Sequence, residues 1–305
     1  MGTMTFGSQV DGTEAQRMTD YCLDQGMQFF DTANAYNQGV SEEIVGRCLK
    51  AKRDKVIVAS KACNPMERPR AYSGLSRQAM RWALEDTLKR LQMDYVDLYY
   101  LHRPDYETPI EETLETLEEF RREGKIRYAA ISNFSAWQHT EILWLCEKNG
   151  WQAPRVAQQM YNVITRNLEQ EYVPFAKRFD VSIVAYNPLA GGLLTGKQSA
   201  AAPLAGTRFD NNKQYLSRYW HGQYFDAVQE LKGIAERHGR TLLQTSLGWL
   251  LHQEQVDAVI LGASRIEHLK ANVEAALSGP LPAEVIEESR DVWLKLRGPA
   301  PQYNR

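Results

Sequence analysis

The feature that most constrains this chain is an alternation. Short, nearly continuous apolar runs take turns with long amphipathic segments. "KVIVAS" precedes "SRQAMRWALEDTLKRL", "YVDLYYLH" precedes "IEETLETLEEFRREG", and "IRYAAISN" precedes "AWQHTEILWLCEKNG". Runs that are apolar throughout suit strands buried on both faces, which is what a parallel sheet requires. The amphipathic segments place apolar residues at three-to-four spacing, as with Leu114, Leu117 and Phe120, or Trp82, Leu84, Leu88 and Leu91. That spacing predicts helices with one buried stripe. Ser76 and Ser135 stand where N-caps belong, and Gly124 and Gly150 where helices should stop.

Eight runs are expected as strands: 2–6, 28–31, 56–60, 96–101, 126–131, 156–159, 181–186 and 258–261. Eight βα repeats in 305 residues predict an α/β fold, a single (β/α)8 TIM barrel filling 1–305 as one domain. A doubly wound sheet would carry GxGxxG after its first strand, and that pattern is absent. The longest irregular stretch runs from about 190 to 216. A loop of that length in a compact barrel is usually functional, and closure over a cofactor is one use for it.

Bulk properties exclude some classes. The formal net charge is -2, with no long basic run, so neither nucleic acid nor a membrane surface is expected as a partner. No apolar run approaches the roughly 18 residues of a spanning helix. The opening "MGTMTFGSQV" has no basic stretch and no long apolar core, so it does not read as a signal peptide. Cys22, Cys48, Cys63 and Cys146 form no CxxC pair and no zinc-ligand spacing. They read as reduced thiols in a cytoplasmic protein, with no metal.

In a barrel the C-terminal strand ends converge on one face, where chemistry is done. Here those positions are polar: Asp31, with Tyr36 in the loop after it, then Lys61, His102, Ser132 with Asn133, Gln159, and Tyr186 with Asn187. Each alone has an ordinary explanation: an Asp caps a helix, a Lys snorkels, a His or Tyr packs. Four ionisable groups at three consecutive strand ends, however, must sit together. A phenol is a poor donor at neutral pH, since its pKa is about 10. A nearby ammonium lowers that value, and a carboxylate holds the ammonium in place. A neutral imidazole can orient a carbonyl oxygen. Asp31, Tyr36, Lys61 and His102 therefore suit protonation of an oxygen gaining charge, as when hydride adds to C=O. At this face no nucleophile has an adjacent base and no carboxylates are paired, which disfavours acyl transfer and glycoside hydrolysis.

The motifs "DTANAY", "SKA", "YLHRPD", "ISNFS" and "YNPLAGGLLTGK" resemble the aldo-keto reductases over essentially the whole chain. "NGWQAPRVAQQMYNVITRNLE", "SRYW", "AVILGAS" and the tail "PQYNR" are similar to segments of the aflatoxin aldehyde reductase group. The resemblance implies a barrel that binds NADPH/NADP+ in an extended pose and reduces a small aldehyde or ketone, with Tyr36 as proton donor. It places Ser132, Asn133 and Gln159 on the nicotinamide carboxamide and Tyr186 against the ring. Asn187, Leu189, Gly191, Lys197 and Arg208 would line the pyrophosphate path. Ser264 and Arg265, at a helix start that favours phosphate, would take the adenosine 2′-phosphate. His268 and Asn272 would face the adenine, although the family usually has Gln at the position of His268. Substrate contacts would come from Arg218 and Arg305, with Met4, Trp220 and Tyr303 as pocket walls. Arginine's planar fork suits carboxylated aldehydes such as succinic semialdehyde. Aromatic aldehydes and dicarbonyls are the other expected substrates. Relatives of this kind suggest a homodimer. They normally carry several more residues before "GTM", so either a clipped first strand or a misassigned start is expected here. Two alternatives keep the same tetrad: a cofactor-sensing subunit of the potassium-channel beta type, and a biosynthetic reductase or dehydrogenase with one dedicated substrate.

Overall fold

The computed structural model describes residues 1–67, 71–210 and 212–301. Seven parallel strands follow chain order in one sheet: β1 (Phe29–Asp31), β2 (Ile57–Ala62), β3 (Val96–Leu101), β4 (Ile126–Ser132), β5 (Val156–Met160), β6 (Ser182–Tyr186) and β7 (Val256–Val259). Seven of the eight expected runs are thus strands. The expected strand over 2–6 does not form. Phe6 N–H bonds back to the Thr3 carbonyl and Val10 N–H to the Thr5 carbonyl, so the chain turns on itself before a ladder can extend. Residues 1–3 still make strand-like bonds on two sides: Asp31 N–H to the Met1 carbonyl and Thr3 N–H to the Asp31 carbonyl, with Gly2 N–H to the Leu261 carbonyl.

The chain forms two compact units. The first comprises Met1–Gln158, Asp180–Ser182 and Ile260–Leu269; the second comprises Gln159–Phe179, Ile183–Val259 and Lys270 onward. In the first unit the parallel register pairs Asp31 with Ala59, Ala62 with Leu101, Leu101 with Ile131, and Ser132 with Gln158. The ladder continues beyond the strand ends, through Thr32 N–H to the Ala59 carbonyl, Asn34 N–H to Lys61, and His102 N–H to Ala62. These bonds bring the residues that follow each strand to a common edge.

Helices cover the strands as their patterns predict. Leu114, Leu117 and Phe120 are buried on the helix Ile110–Arg122. On Arg77–Leu91 the buried stripe is Met80, Leu84, Thr87 and Leu91, while Trp82 and Leu88 are half-buried. Ser76 caps that helix by accepting from Ala79 N–H. Ser135 and Gln138 form a capping box on Ala136–Asn149, which Gly150 ends at φ 66°. The left-handed cap suits glycine, which has no Cβ to clash. In the second unit the core gathers around fully buried Trp249, which meets Tyr161 edge-on at 5.3 Å between centroids.

Candidate active site

The first unit assembles the four expected residues. Asp31 ends β1 and Lys61 lies in β2, both buried. Lys61 Nζ donates to Asp31 Oδ1 at 2.5 Å and to the Thr32 carbonyl at 2.8 Å. Its ammonium lies 5.1 Å from the Tyr36 ring centroid, with the phenol in hydrogen-bonding reach. The Tyr36 and His102 rings meet edge-on, with centroids 5.9 Å apart and planes at 78°.

Tyr36 is held by an unusual turn. Asn37 and Gln38 both adopt left-handed backbone, at φ 51° and 53°, which costs a non-glycine residue roughly 1–2 kcal/mol. The surroundings hold them there. Asn37 Nδ2 donates to the Phe6 carbonyl at 2.6 Å and the Met4 carbonyl at 3.2 Å. Gln38 Oε1 accepts from Glu67 N–H at 3.0 Å. The turned-back segment 3–10 thus anchors the loop that carries Tyr36. Met4 contributes its carbonyl here while its side chain is partly exposed.

The electrostatics fit one task. Burial alone would pull the Lys61 pKa down, but the charges and hydrogen bonds of Asp31 and Tyr36 outweigh it and raise it above the ordinary value. Lys61 therefore stays an ammonium across the working range. Burial, helped by the charges of Lys61 and Arg103, pushes His102 down to about 3, so the ring is neutral near pH 7. A fixed cation beside a phenol and a neutral imidazole is an arrangement for protonating an oxygen that gains charge.

The remaining expected residues fall as follows. Ser132 ends β4 and is buried. Asn133, left-handed at φ 64°, donates through Nδ2 to the His102 carbonyl at 2.9 Å and Ser132 Oγ at 3.0 Å. Gln159 does not join the tetrad's face. It bonds the Tyr172 phenol of the helix Tyr172–Phe179. Its neighbour Gln158, which sequence reading passed over, donates to Asp31 Oδ2 at 2.7 Å. Side chains alternate along a strand, so only one of two adjacent glutamines can face the tetrad. Asn64 is a second overlooked residue, since its amide meets His102 Nδ1 at 3.1 Å. Neither had a signal in a single sequence beyond being a polar residue near a strand end.

Ser264 Oγ contacts His268 Nδ1 at 3.2 Å at the start of the helix Ile266–Ala276, and Arg265 is exposed beside it. Glu14 Oε1 accepts from the Ile266 N–H at 2.6 Å. This helix start already accommodates an anion, as free N–H groups there favour.

Within the second unit, Tyr186 ends β6 and is followed by a run of left-handed residues: Asn187, Ala190, Gly191, Gly192 and Gly196. At Gly191 the lack of a Cβ is required, because one would lie 2.7 Å from the Tyr215 ring. Asn187 is fixed through its carbonyl oxygens, with Asn162 Nδ2 on the main chain at 2.9 Å and the Tyr215 hydroxyl on Oδ1 at 3.2 Å. Its Nδ2 is buried with no hydrogen-bond partner. Arg208 and Arg218 both lie over the Tyr215 ring, at 5.3 and 5.5 Å. Trp220 packs between Phe209 and Phe225 at 5.1 and 4.9 Å. Leu189 is half-buried and Lys197 exposed, while Asn272 is buried. Tyr303 and Arg305 lie outside the described residues. A cavity of about 400 Å³ in this unit, lined by Arg166, His221, Tyr224, Trp293 and Arg297 among others, contains none of the expected residues.

The aldo/keto reductase family pattern matches residues 1–293. The chain belongs to the aldo/keto reductase family. It is 36% identical to human aldo-keto reductase family 7 member A3, over 100% of this chain and 96% of that protein. It is 37% identical to mouse aflatoxin B1 aldehyde reductase member 2, over 100% and 87%. A probable voltage-gated potassium channel subunit beta of Arabidopsis thaliana is 32% identical over 99% and 94%. Among solved structures, the holo form of an aldo-keto reductase from Bacillus halodurans superposes with a TM-score of 0.79 at 31% identity, covering 96% of this chain and 90% of that one.

The protein is thus an oxidoreductase of a family that uses nicotinamide dinucleotides. The residues present fit such a group. The buried Asn187 side-chain amide nitrogen, which has no hydrogen-bond partner within the left-handed segment after β6, is a donor awaiting an acceptor. Among the described residues no helix is long and apolar enough to cross a membrane.

Proposed function

We propose that this reductase is a single (β/α)8 barrel that reduces aldehydes to alcohols with NADPH. The observation that carries the reading is the buried Lys61 ammonium, paired with Asp31 and set against the Tyr36 phenol beside a neutral His102. When bound, the reduced nicotinamide supplies hydride to the carbonyl carbon. The chain's own residues do the rest. Tyr36 gives its proton to the carbonyl oxygen, Lys61 stabilises the phenolate left behind, and Asp31 keeps Lys61 charged. His102 orients the carbonyl by hydrogen bonding.

Ser132, Asn133 and Gln158 would hold the nicotinamide carboxamide, Gln158 replacing Gln159 because it faces the tetrad. Tyr186 would stack on the ring, and Asn187, Leu189, Gly191, Lys197 and Arg208 would line the phosphates. Ser264 and Arg265 would take the 2′-phosphate, with His268 and Asn272 nearby. The favoured substrates are aromatic aldehydes, dicarbonyls and carboxylated aldehydes, given relatives named as aflatoxin B1 aldehyde reductases and the half-buried Arg218.

The test is oxidation of NADPH by the purified protein with para-nitrobenzaldehyde and with succinic semialdehyde. Turnover in the parent that is lost in Tyr36→Phe, with NADPH binding retained, is the expected result. Full activity in Tyr36→Phe sinks the assignment. The potassium-channel relative favours a second reading, cofactor sensing. Tight NADPH binding with negligible multiple turnover on either aldehyde would select it.

A further inference from the structure

His102 is neutral in this fold, so its ring carries one proton. Which nitrogen holds that proton decides what the ring can do. Asn64 meets Nδ1 at 3.1 Å. That contact alone is ambiguous, because the amide could offer its NH2 to a bare Nδ1 or its carbonyl to an Nδ1–H. Arg103 removes the ambiguity. Its Nε, which can only donate, lies 3.0 Å from Asn64 Oδ1, the other end of the same amide. A rotated amide would set its NH2 against that N–H. The oxygen must therefore face Arg103 and the NH2 must face the imidazole, which makes Nδ1 an acceptor. The single ring proton then sits on Nε2.

We infer that Asn64 and Arg103 are positioning residues that lock His102 as the Nε2–H tautomer, so that it presents a neutral hydrogen-bond donor to the substrate's carbonyl oxygen. The opposite tautomer would turn a lone pair toward that oxygen and repel it. The groups acting on the ring agree. Lys61 from β2 and Arg103 from the loop after β3 both carry positive charge, which opposes a second proton, and Tyr36 meets the ring edge-on. Arg103 also donates weakly to the Pro104 carbonyl at 3.4 Å, which steadies the guanidinium over the amide. The sequence shows no sign of this relay, because residues 64 and 103 follow different strands.

The effect on turnover rests on the reductase reading of the tetrad, but the tautomer does not, so the two are measured separately. Nitrogen-15 spectra of ring-labelled protein, with His102→Gln identifying the signals, read the tautomer directly. Between about pH 6 and 8 the parent should show an unprotonated Nδ1 and a protonated Nε2. The reverse pattern overturns the inference. Asn64→Leu should lose that fixed pattern and lower kcat about tenfold, as expected for losing one neutral hydrogen bond that orients the ring. NADPH affinity should not change. Arg103→Leu frees the amide to rotate and should give a smaller loss. Asn64→Asp places a carboxylate against Nδ1 and should move the proton there. If Asn64→Leu keeps both the parental spectrum and the parental kcat, neither residue has this role. A parent with the expected spectrum but no aldehyde turnover would keep the tautomer and overturn the reductase reading alone.

Discussion

Replacing Asp31 with Asn isolates the interaction on which the site depends. Lys61 is fully buried, and its ammonium is held by Asp31 Oδ1 at 2.5 Å and the Thr32 carbonyl at 2.8 Å. The substitution leaves that ammonium with neutral partners only. Breaking a buried pair from one side costs about 3–5 kcal/mol, well beyond the typical substitution cost of about 1 kcal/mol. The pH dependence is more diagnostic than the size. In the parent, burial lowers the Lys61 pKa but Asp31 and Tyr36 outweigh it, so the folded value lies above the ordinary one. The Lys61 contribution is therefore complete below about pH 10 and is lost only as pH climbs through the raised value. With the carboxylate gone, burial dominates and the folded value drops below the unfolded one. The folded variant then favours the neutral amine and gains stability between neutral pH and about pH 10. Urea unfolding of both proteins at about pH 7 and pH 9.5 reads this difference. The variant should recover on the alkaline side by more than about 1 kcal/mol relative to the parent. A variant as stable as the parent, or one that tracks the parent's pH dependence, would refute the account.

Three further outcomes are expected. Gly46→Ala puts a Cβ 2.4 Å from the Leu91 carbonyl oxygen, a backbone atom that cannot swing away; it should cost more than about 2 kcal/mol. Gly26→Ala, with nothing within 4 Å but φ at +74°, should cost only the left-handed strain of about 1 kcal/mol, and comparing the two melting temperatures checks both. His139 is buried and bonded to the Pro154 carbonyl, and burial lowers its pKa to about 4. Its neutral form is built into the fold, so its contribution is present above about pH 6.5 and fades as pH falls toward 4, by roughly 3 kcal/mol in full. His139→Gln should flatten acid unfolding in that window, and an unchanged slope would show that the ring does not titrate there.

Much of the site could be read before any coordinates. Asp31, Lys61 and His102 each follow or end an apolar run, and a parallel sheet must bring such positions to one edge. What could not be read were details of phase and turn. Gln158 and Gln159 are chemically identical neighbours, and only the register of β5 against β4 decides which one meets Asp31. The run 2–6 looks like a strand by composition, yet bonds from Phe6 and Val10 fold it back, and the product of that folding is an anchor for the Tyr36 turn. Arg265 could be placed at a helix start from its surroundings in sequence, but the Glu14 carboxylate sharing that start comes from more than 200 residues away.

The sequence alone determined the strand and helix periods, the caps at Ser76 and Ser135, and the set of polar residues at the strand ends. These depend on local alternation and on backbone groups a few positions apart. The tertiary structure decided what those residues are chemically. Lys61 is held as a cation because Asp31 and Tyr36 outweigh its burial, and His102 is neutral because burial and two cations make it so. Burial and charge separation are properties of atoms brought together from distant parts of the chain, and no window of sequence contains them.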